Sequence, residues 1–297
     1  MRLINPSVSL IKQNPGLSGI YQVIEKIGRV CYKSEDKITE DSAKPFVERM
    51  IKSQHLAMLE HGTVYLAASC DSEDLIFWKV ANSPYSKVVC NDRANMLYVT
   101  TNLRVIAELN AWEVIDKYLC EPTESHVKRI CLKFITSIGV SREFNRHRVA
   151  SVAEQSTRYC NYTKDKFNNE LTFIKPAWLN IPTGHYAYWD GDWCDVNEMK
   201  IQLPGEEHKD IDAFLWTLED AEREYTLLIN KGWQPQQARE VLPLSTATEV
   251  VYTAFEDDWE HFFDLRYRGT TGLPHPNAQQ VASIAHDLII KELGKDL

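Results

Sequence analysis

Arg146, His147, Arg148 and Arg158 fall within 13 residues, in a stretch that reads Glu-Phe-Asn-Arg-His-Arg-Val-Ala-Ser-Val-Ala-Glu-Gln-Ser-Thr-Arg-Tyr from Glu143 to Tyr159. Guanidinium groups present a rigid fork of donors that matches phosphate and carboxylate oxygens. The whole chain carries a formal net charge of -9, so a basic stretch is a local device for holding anions, and a nucleotide is the leading ligand. Adjacent side chains point in different directions in any regular structure. Arg146, His147 and Arg148 therefore suit a junction between two ligands better than a grip on one. Glu154, Ser156 and Arg158 follow at alternate positions, and in an extended segment they share a face. An acceptor, a hydroxyl and a cation in a row fit the base edge and phosphate of a nucleotide. Two other readings are a solvated basic patch and a hydrolytic set of Ser156, His147 and Glu154. The hydrolytic set lacks a GxSxG elbow and draws all three groups from one short stretch, so Ser156 reads as a substrate ligand.

The chain has 297 residues, which fits one large domain or two average ones. Hydrophobic residues at 44% and charged residues at 25% are ordinary for a soluble globular protein. Overall acidity argues against a nucleic-acid partner, which needs a broad basic face. The segment Met1 to Ser7 lacks the apolar core of a signal peptide. No apolar run approaches the roughly 18 residues of a membrane span. The seven cysteines are scattered and form no CxxC pair. A zinc site or disulfide framework is not expected, and the setting is expected to be reducing and cytoplasmic. Glycine is scarce, at 12 residues, and neither GxGxxG nor GxxxxGK[ST] occurs. A Rossmann phosphate turn is thereby excluded. Side chains must hold any phosphate, and the arginines supply them.

Apolar periodicity predicts helices over 17–33, 41–55, 102–112, 211–230, 235–241 and 277–293, with a further helix opening at Asp257 and Asp258. Strands are expected at 63–68, 96–101, 126–138, 171–174 and 246–255. The strand over 126–138 is expected to lead straight into the arginine cluster. Residues 178–195 are crowded with Trp178, Tyr188, Trp189 and Trp193 and read as a surface loop or lid, or else as a packed Ω-loop. Helices and strands mix without regular βαβ alternation. The expected class is α+β: a mixed, largely antiparallel sheet flanked by helices, in a single domain that is not Rossmann-like.

The order Arg146-His147-Arg148, seven residues, then Ser156 resembles the RHRx7S signature of flavin-dependent thymidylate synthases. Distant segments resemble the family in the same order. They are Glu60-His61-Gly62-Thr63, Ala238-Arg239-Glu240-Val241-Leu242-Pro243, the helix from Trp259 through His261 to Arg266, and His275-Pro276 followed by Gln280. The resemblance implies an FAD enzyme that methylates dUMP to dTMP. Methylenetetrahydrofolate supplies the carbon and NADPH the hydride. It also implies a homotetramer with sites between subunits, and no metal.

By the same resemblance, Arg146, His147 and Arg148 meet the flavin, with Arg146 also near the nucleotide. Glu154, Gln155, Ser156, Thr157 and Arg158 resemble the dUMP-binding run, with Glu154 also a cofactor contact. Glu143 and Arg239 join the nucleotide set. Arg266 resembles the arginine that activates the uracil ring, because a cation at N3/O4 favours an ionised, electron-rich base. His61, Thr63 and His261 resemble flavin or folate contacts. Cys160, just past the motif, has no implied role and reads as a buried thiol. Phe255 and Asp257 depart from the pattern: members often carry Asn and Arg there to serve FAD. Another cation, such as Arg268, would then have to take over, and a non-catalytic nucleotide or flavin binder is the alternative function. Tyr267–Leu273 is also longer than the family turn.

Overall fold

Arg129–Ser137 and Ala247–Phe255 are the longest strands among the described residues, and their β-branched and aromatic side chains suit a sheet buried on both faces. The structure is a computed structural model and describes residues 1–189, 191–195, 200–201, 203 and 209–294. Its strands in chain order are β1 (Arg2–Ile4), β2 (Ser7–Leu10), β3 (Thr63–Ser69), β4 (Lys87–Asn91), β5 (Met96–Asn102), β6 (Arg129–Ser137), β7 (Ser151–Glu154), β8 (Thr172–Ile174), β9 (Gly184–His185), β10 (Ala187–Trp189), β11 (Asp192–Cys194) and β12 (Ala247–Phe255). The central sheet has the order β2-β6-β12-β7, antiparallel throughout. A second antiparallel sheet has the order β3-β5-β4. The third, β8-β1-β9, contains the parallel pair β1–β8. The class is α+β with mostly antiparallel sheets flanked by helices, as expected. No helix among the described residues is long and apolar enough to cross a membrane.

Period-two alternation splits the central sheet between two cores. Ile130, Leu132 and Phe134 of β6, with Val250, Tyr252 and Ala254 of β12, face helices Ile138–Phe144, Glu256–Phe263 and Pro276–Leu293. Phe134, Phe144 and Phe263 are fully buried there. Burying each contributes roughly 1.5–3 kcal/mol, more than a typical single hydrogen bond. Cys131 and Val251 face the opposite way, onto helix Gly16–Val30. That helix also covers the start of β3. A Cβ on Gly62 would lie 2.6 Å from Ile24 Cδ1 and 2.8 Å from Ile20 Cγ2, so the close approach requires glycine.

β6 and β7 flank β12 and are both antiparallel to it. They therefore run in the same direction, and the chain between them must cross a face of the sheet. This corrects the expectation that a strand runs straight into the arginine cluster. β6 ends at Ser137, opposite Ala247, where β12 begins. Ser137 Oγ then accepts from Val140 N at 3.3 Å and caps helix Ile138–Phe144. Val140 and Phe144 lie in the core.

Other expectations need smaller corrections. The helix expected over 102–112 is two, Leu103–Glu108 and Trp112–Tyr118, separated at Asn110 with φ 49. β1, β2, β4, β7 and helix Leu75–Ala81 were not foreseen; each is too short for a clear periodic signal. Within 178–195, β9, β10 and β11 form, with residue 190 outside the described residues. Tyr186 and Trp193 are buried, Trp178 and Trp189 are exposed, and Trp193 Nε1 donates to Asp212 Oδ1 at 3.0 Å. The packed reading describes this segment better than a bare surface loop.

His61 joins the central sheet to the β3-β5-β4 sheet. Its Nδ1 lies 2.8 Å from Thr253 Oγ1 on β12, just before β3 begins, and the ring is 1% exposed. Burial, and then the charge of Arg129, push its pKa down to about 3. In the unfolded chain it titrates near 6.5. Its contribution is thus complete above about pH 6.5 and is lost as pH falls towards 3. Urea midpoints are expected to fall from pH 7 to pH 4. In a His61→Gln variant that dependence should be shallower by up to about 1.4 kcal/mol per pH unit. Equal slopes would show that His61 binds its proton alike in both states.

Candidate functional site

The crossing segment delivers the Arg-His-Arg residues beside the chain that follows β12. Helix Glu256–Phe263 continues into a π-type turn, Asp264–Arg268, closed by Gly269 N donating to Asp264 O with Gly269 at φ 71. A π turn widens the helix locally and re-aims its side chains. Arg266 Nη2 donates to Glu143 O at 2.8 Å, and Nη1 lies 3.7 Å from Glu143 Oε2. Arg266 Nε donates to His147 Nε2 at 3.2 Å. The His147 ring sits 4.8 Å from Phe262 and 5.9 Å from the exposed His261. Burial, then Arg266, then His261, lower the His147 pKa to about 4. The ring is neutral near pH 7, so it accepts at Nε2 and carries its proton on Nδ1.

Tyr252 closes the back of this cluster. Its hydroxyl donates to Asn145 Oδ1 at 2.5 Å, and it feels the charges of both Glu154 and Arg266. Glu154 Oε1 accepts from Ser141 Oγ at 2.7 Å and Thr248 Oγ1 at 3.1 Å. Glu143, His147, Glu154 and Arg266 are thereby brought together from β7, the crossing segment and the π turn.

The expected single extended face of Glu154, Ser156 and Arg158 needs correction. Gln155 N still reaches Glu249 O on β12 at 2.8 Å, but Ser156 N donates to Cys31 O at 2.9 Å and the chain leaves the sheet. Ser156 Oγ accepts from Arg158 N at 3.2 Å, and Ser156 O accepts from Cys160 N at 2.9 Å. A serine that bonds its own neighbouring backbone makes a turn of the run. Arg239, from the helical turn Arg239–Val241, donates Nη1 to Thr157 Oγ1 at 3.2 Å, so two expected nucleotide residues meet. Ser156 Oγ and His147 Nε2 are thus bonded to Arg158 and Arg266 rather than to each other, contrary to a hydrolytic pair. Cys160 is fully buried and burial raises its pKa.

Arg146, Arg148 and Arg158 are exposed, and none has an ion-pair partner among the described residues. The Arg158 guanidinium lies 5.3 Å from the Tyr159 ring centroid. Unpaired cations on one motif of an acidic chain attract anions.

His61 and Thr63 lie elsewhere, on a cavity of about 300 Å³ shared with Arg129. Arg129 was not among the expected residues; a charge at the start of a mostly apolar strand was its signal. Its Nη1 donates to Glu60 O at 2.9 Å and Thr63 Oγ1 at 3.4 Å, and Nη2 donates to Ser151 Oγ at 3.4 Å. Arg129 Nε and His61 Nε2 are buried without partners. Burial lowers the Arg129 pKa to about 10, which still leaves it charged. Phe255 lies between cations, 5.5 Å from the Arg129 guanidinium and 4.5 Å from Lys87 Nζ. Lys87 also pairs with Asp257, which offsets the negative charge at that position. Arg268 bonds Asp264 at 3.0 Å and lies 3.4 Å from His286, while Lys87 is a cation at Asp257.

The sequence is similar to proteins of known kind. It is 30% identical over 133 residues to the flavin-dependent thymidylate synthase of Haloarcula marismortui, covering 43% of this chain and 51% of that one. It is 29% identical over 155 residues to the flavin-dependent thymidylate synthase of Thermus thermophilus, covering 52% and 51%. The chain spans about half the length of these curated relatives. The UMP/dUMP methylase PolB of Streptomyces cacaoi, solved with 5-Br dUMP, superposes with a TM-score of 0.45 at 17% identity, covering 98% of this chain and 93% of that one. The family profile described as thymidylate synthase complementing protein matches residues 88–291, well over half the chain. That stretch contains the Arg-His-Arg turn, the run to Arg158, Arg239 and Arg266, and the chain belongs to this family.

Proposed function

We propose that the chain methylates dUMP to dTMP, with methylenetetrahydrofolate as carbon donor and NADPH as the source of reducing hydride through FAD. It does so as a homotetramer with sites between subunits. The observation that carries this reading is Arg266, held by Glu143 and neutral His147 beside a nucleotide run that meets Arg239. The orphaned His61 Nε2 and Arg129 Nε on the cavity with Thr63, and the unpaired Arg146 and Arg148, fit a phosphorylated flavin. Arg146, His147, Arg148, Glu154 and His261, with His61 and Thr63, would hold it. When bound, FAD supplies the hydride chemistry that amino-acid side chains lack.

The chain's own residues divide the remaining work. Arg158 and Arg239 carry positive charge to the phosphate, with the Ser156 hydroxyl and Thr157 beside them. Glu154 keeps its carboxylate on Ser141 and Thr248, a fixed acceptor for a nucleotide donor. Arg266 presents its charge to uracil N3/O4 and stabilises the ionised ring that is nucleophilic at C5. A neutral His147 accepts from Arg266 without competing for that charge. Ser156 binds substrate and forms no covalent bond.

The purified protein should be yellow, and dUMP should change its absorbance spectrum. With dUMP, methylenetetrahydrofolate and NADPH it should make dTMP; a folded, flavin-loaded sample that binds dUMP without turnover would establish the non-catalytic alternative. Arg158→Ala should weaken dUMP by about 1–3 kcal/mol, because a charged hydrogen bond is lost. Unchanged dUMP affinity in a binding titration removes Arg158 from the site. Arg266→Ala should lower kcat by about 10²–10³-fold while dUMP affinity changes less. A fall confined to affinity would refute the ring-activating role.

A further inference from the structure

A separate recess of about 200 Å³ opens beside Gln155, lined by Arg2, Lys33, Gln155, Tyr162, Lys166 and Glu249 among others. The carboxylate of that lining is already committed. Glu249 pairs with Lys33 and, at 3.1 Å, with Lys133 of β6. Lys33 also lies 3.9 Å from Glu35. Arg2 and Lys166 have no ion-pair partner among the described residues. Lys166 Nζ donates to the carbonyls of Tyr32 and Lys33, both at 3.0 Å, which fixes its ammonium beside Lys33. The Tyr162 hydroxyl is buried, and the nearby Gln155 side chain is not in regular hydrogen-bond geometry with it. Lys33 holds a left-handed backbone at φ 48, a conformation that costs a non-glycine residue roughly 1–2 kcal/mol. Such strain, where it persists, gathers at ligand sites.

Three cations of the lining, Arg2, Lys33 and Lys166, thus face one carboxylate, Glu249, in a chain of net charge -9. The recess is smaller than the roughly 300–1,000 Å³ of sites that take a whole drug-sized ligand. It suits a compact oxyanion that needs several donors and little apolar contact. We propose that this recess is a phosphate subsite that takes a diphosphate group, with Arg2, Lys33 and Lys166 as its cations and the Tyr162 hydroxyl as a neutral donor. The diphosphate comes either free or as the distal phosphates of a nucleoside polyphosphate. The free form does not depend on the proposed dTMP chemistry. The nucleotide form rests on the nucleotide run reading, since Gln155 belongs to both sites.

Isothermal titration of the full chain with inorganic pyrophosphate, dUMP and dUTP tests the assignment. The proteins are wild type, Arg2→Gln and Lys166→Gln, with thermal melts to verify folding; should one variant fail to fold, the other decides. Pyrophosphate is expected to bind the wild type and to bind each variant at least tenfold more weakly, with dUMP affinity unchanged. If dUTP also exceeds dUMP in the wild type and loses that advantage in the variants, the recess takes a nucleoside polyphosphate. If dUTP gains nothing over dUMP, the recess takes free diphosphate. Pyrophosphate that does not bind the wild type, or binds both variants as tightly, overturns the subsite. Absence of dUMP binding with the expected pyrophosphate result removes the nucleotide reading and leaves the subsite standing.

Discussion

β12 lies between two strands that run in the same direction, and the site follows from that constraint. An antiparallel neighbour on each side leaves β6 and β7 parallel, so residues 138–150 must travel back across the sheet. The crossing is secured by Val140 and Phe144, buried against Phe134, Tyr252 and Phe262. Phe144 has ring centroids at 4.8 to 6.3 Å from those three partners. Aromatic packing of that kind adds about 0.5–1.5 kcal/mol per pair beyond area burial. The polar turn that follows, with Arg146 and Arg148 outward and His147 inward, is therefore positioned by apolar contacts.

Burial and charge then assign different jobs to neighbouring residues. His147 loses its positive charge because it is buried beside Arg266. Neutral chiefly because it is buried, and then because of the neighbouring Arg266 charge, it becomes an acceptor that steadies that arginine. Asn145 and Glu154 hold β12 beneath through Tyr252 and Thr248, and Glu154 also ties in helix Ile138–Phe144 through Ser141. A protonated His147 would place two cations in contact in a poorly solvated corner, where repulsion is strong.

Much of this was legible in residue types and spacing. The helices 16–30, 209–230 and 276–293 carry clean amphipathic periods, and β12 is β-branched along its length. Thr157 and Arg239, both expected at a nucleotide and separated by 82 positions, do touch. What stayed hidden depends on tertiary hydrogen bonds. The turn at Ser156 requires the Cys31 carbonyl, and the helix after Ser137 requires the sheet to end at Ala247. Arg129 opens a mostly apolar strand, and its partners are backbone and hydroxyl groups contributed by Glu60, Thr63 and Ser151. The Lys87–Asp257 pair spans 170 positions and has no local signal.

The arginines occupy three physical states, and the states sort their roles. Arg104 and Arg268 are satisfied by carboxylates and behave as structural ties. Arg266 is held mostly by neutral acceptors, a backbone carbonyl at 2.8 Å and an imidazole at 3.2 Å, with the Glu143 carboxylate further away at 3.7 Å. Its charge is therefore fixed in place yet only partly cancelled. Arg146, Arg148 and Arg158 carry charge into solvent with no ion-pair partner among the described residues. A chain with more acids than bases had ample carboxylates to neutralise them. Exposed unpaired arginines cost little while water solvates them, and they gain most when an anion replaces that water. Under the proposed function the same comparison separates Arg266 from Arg158: the first would be held ready for charge that develops in a bound ring, the second for charge the ligand already has.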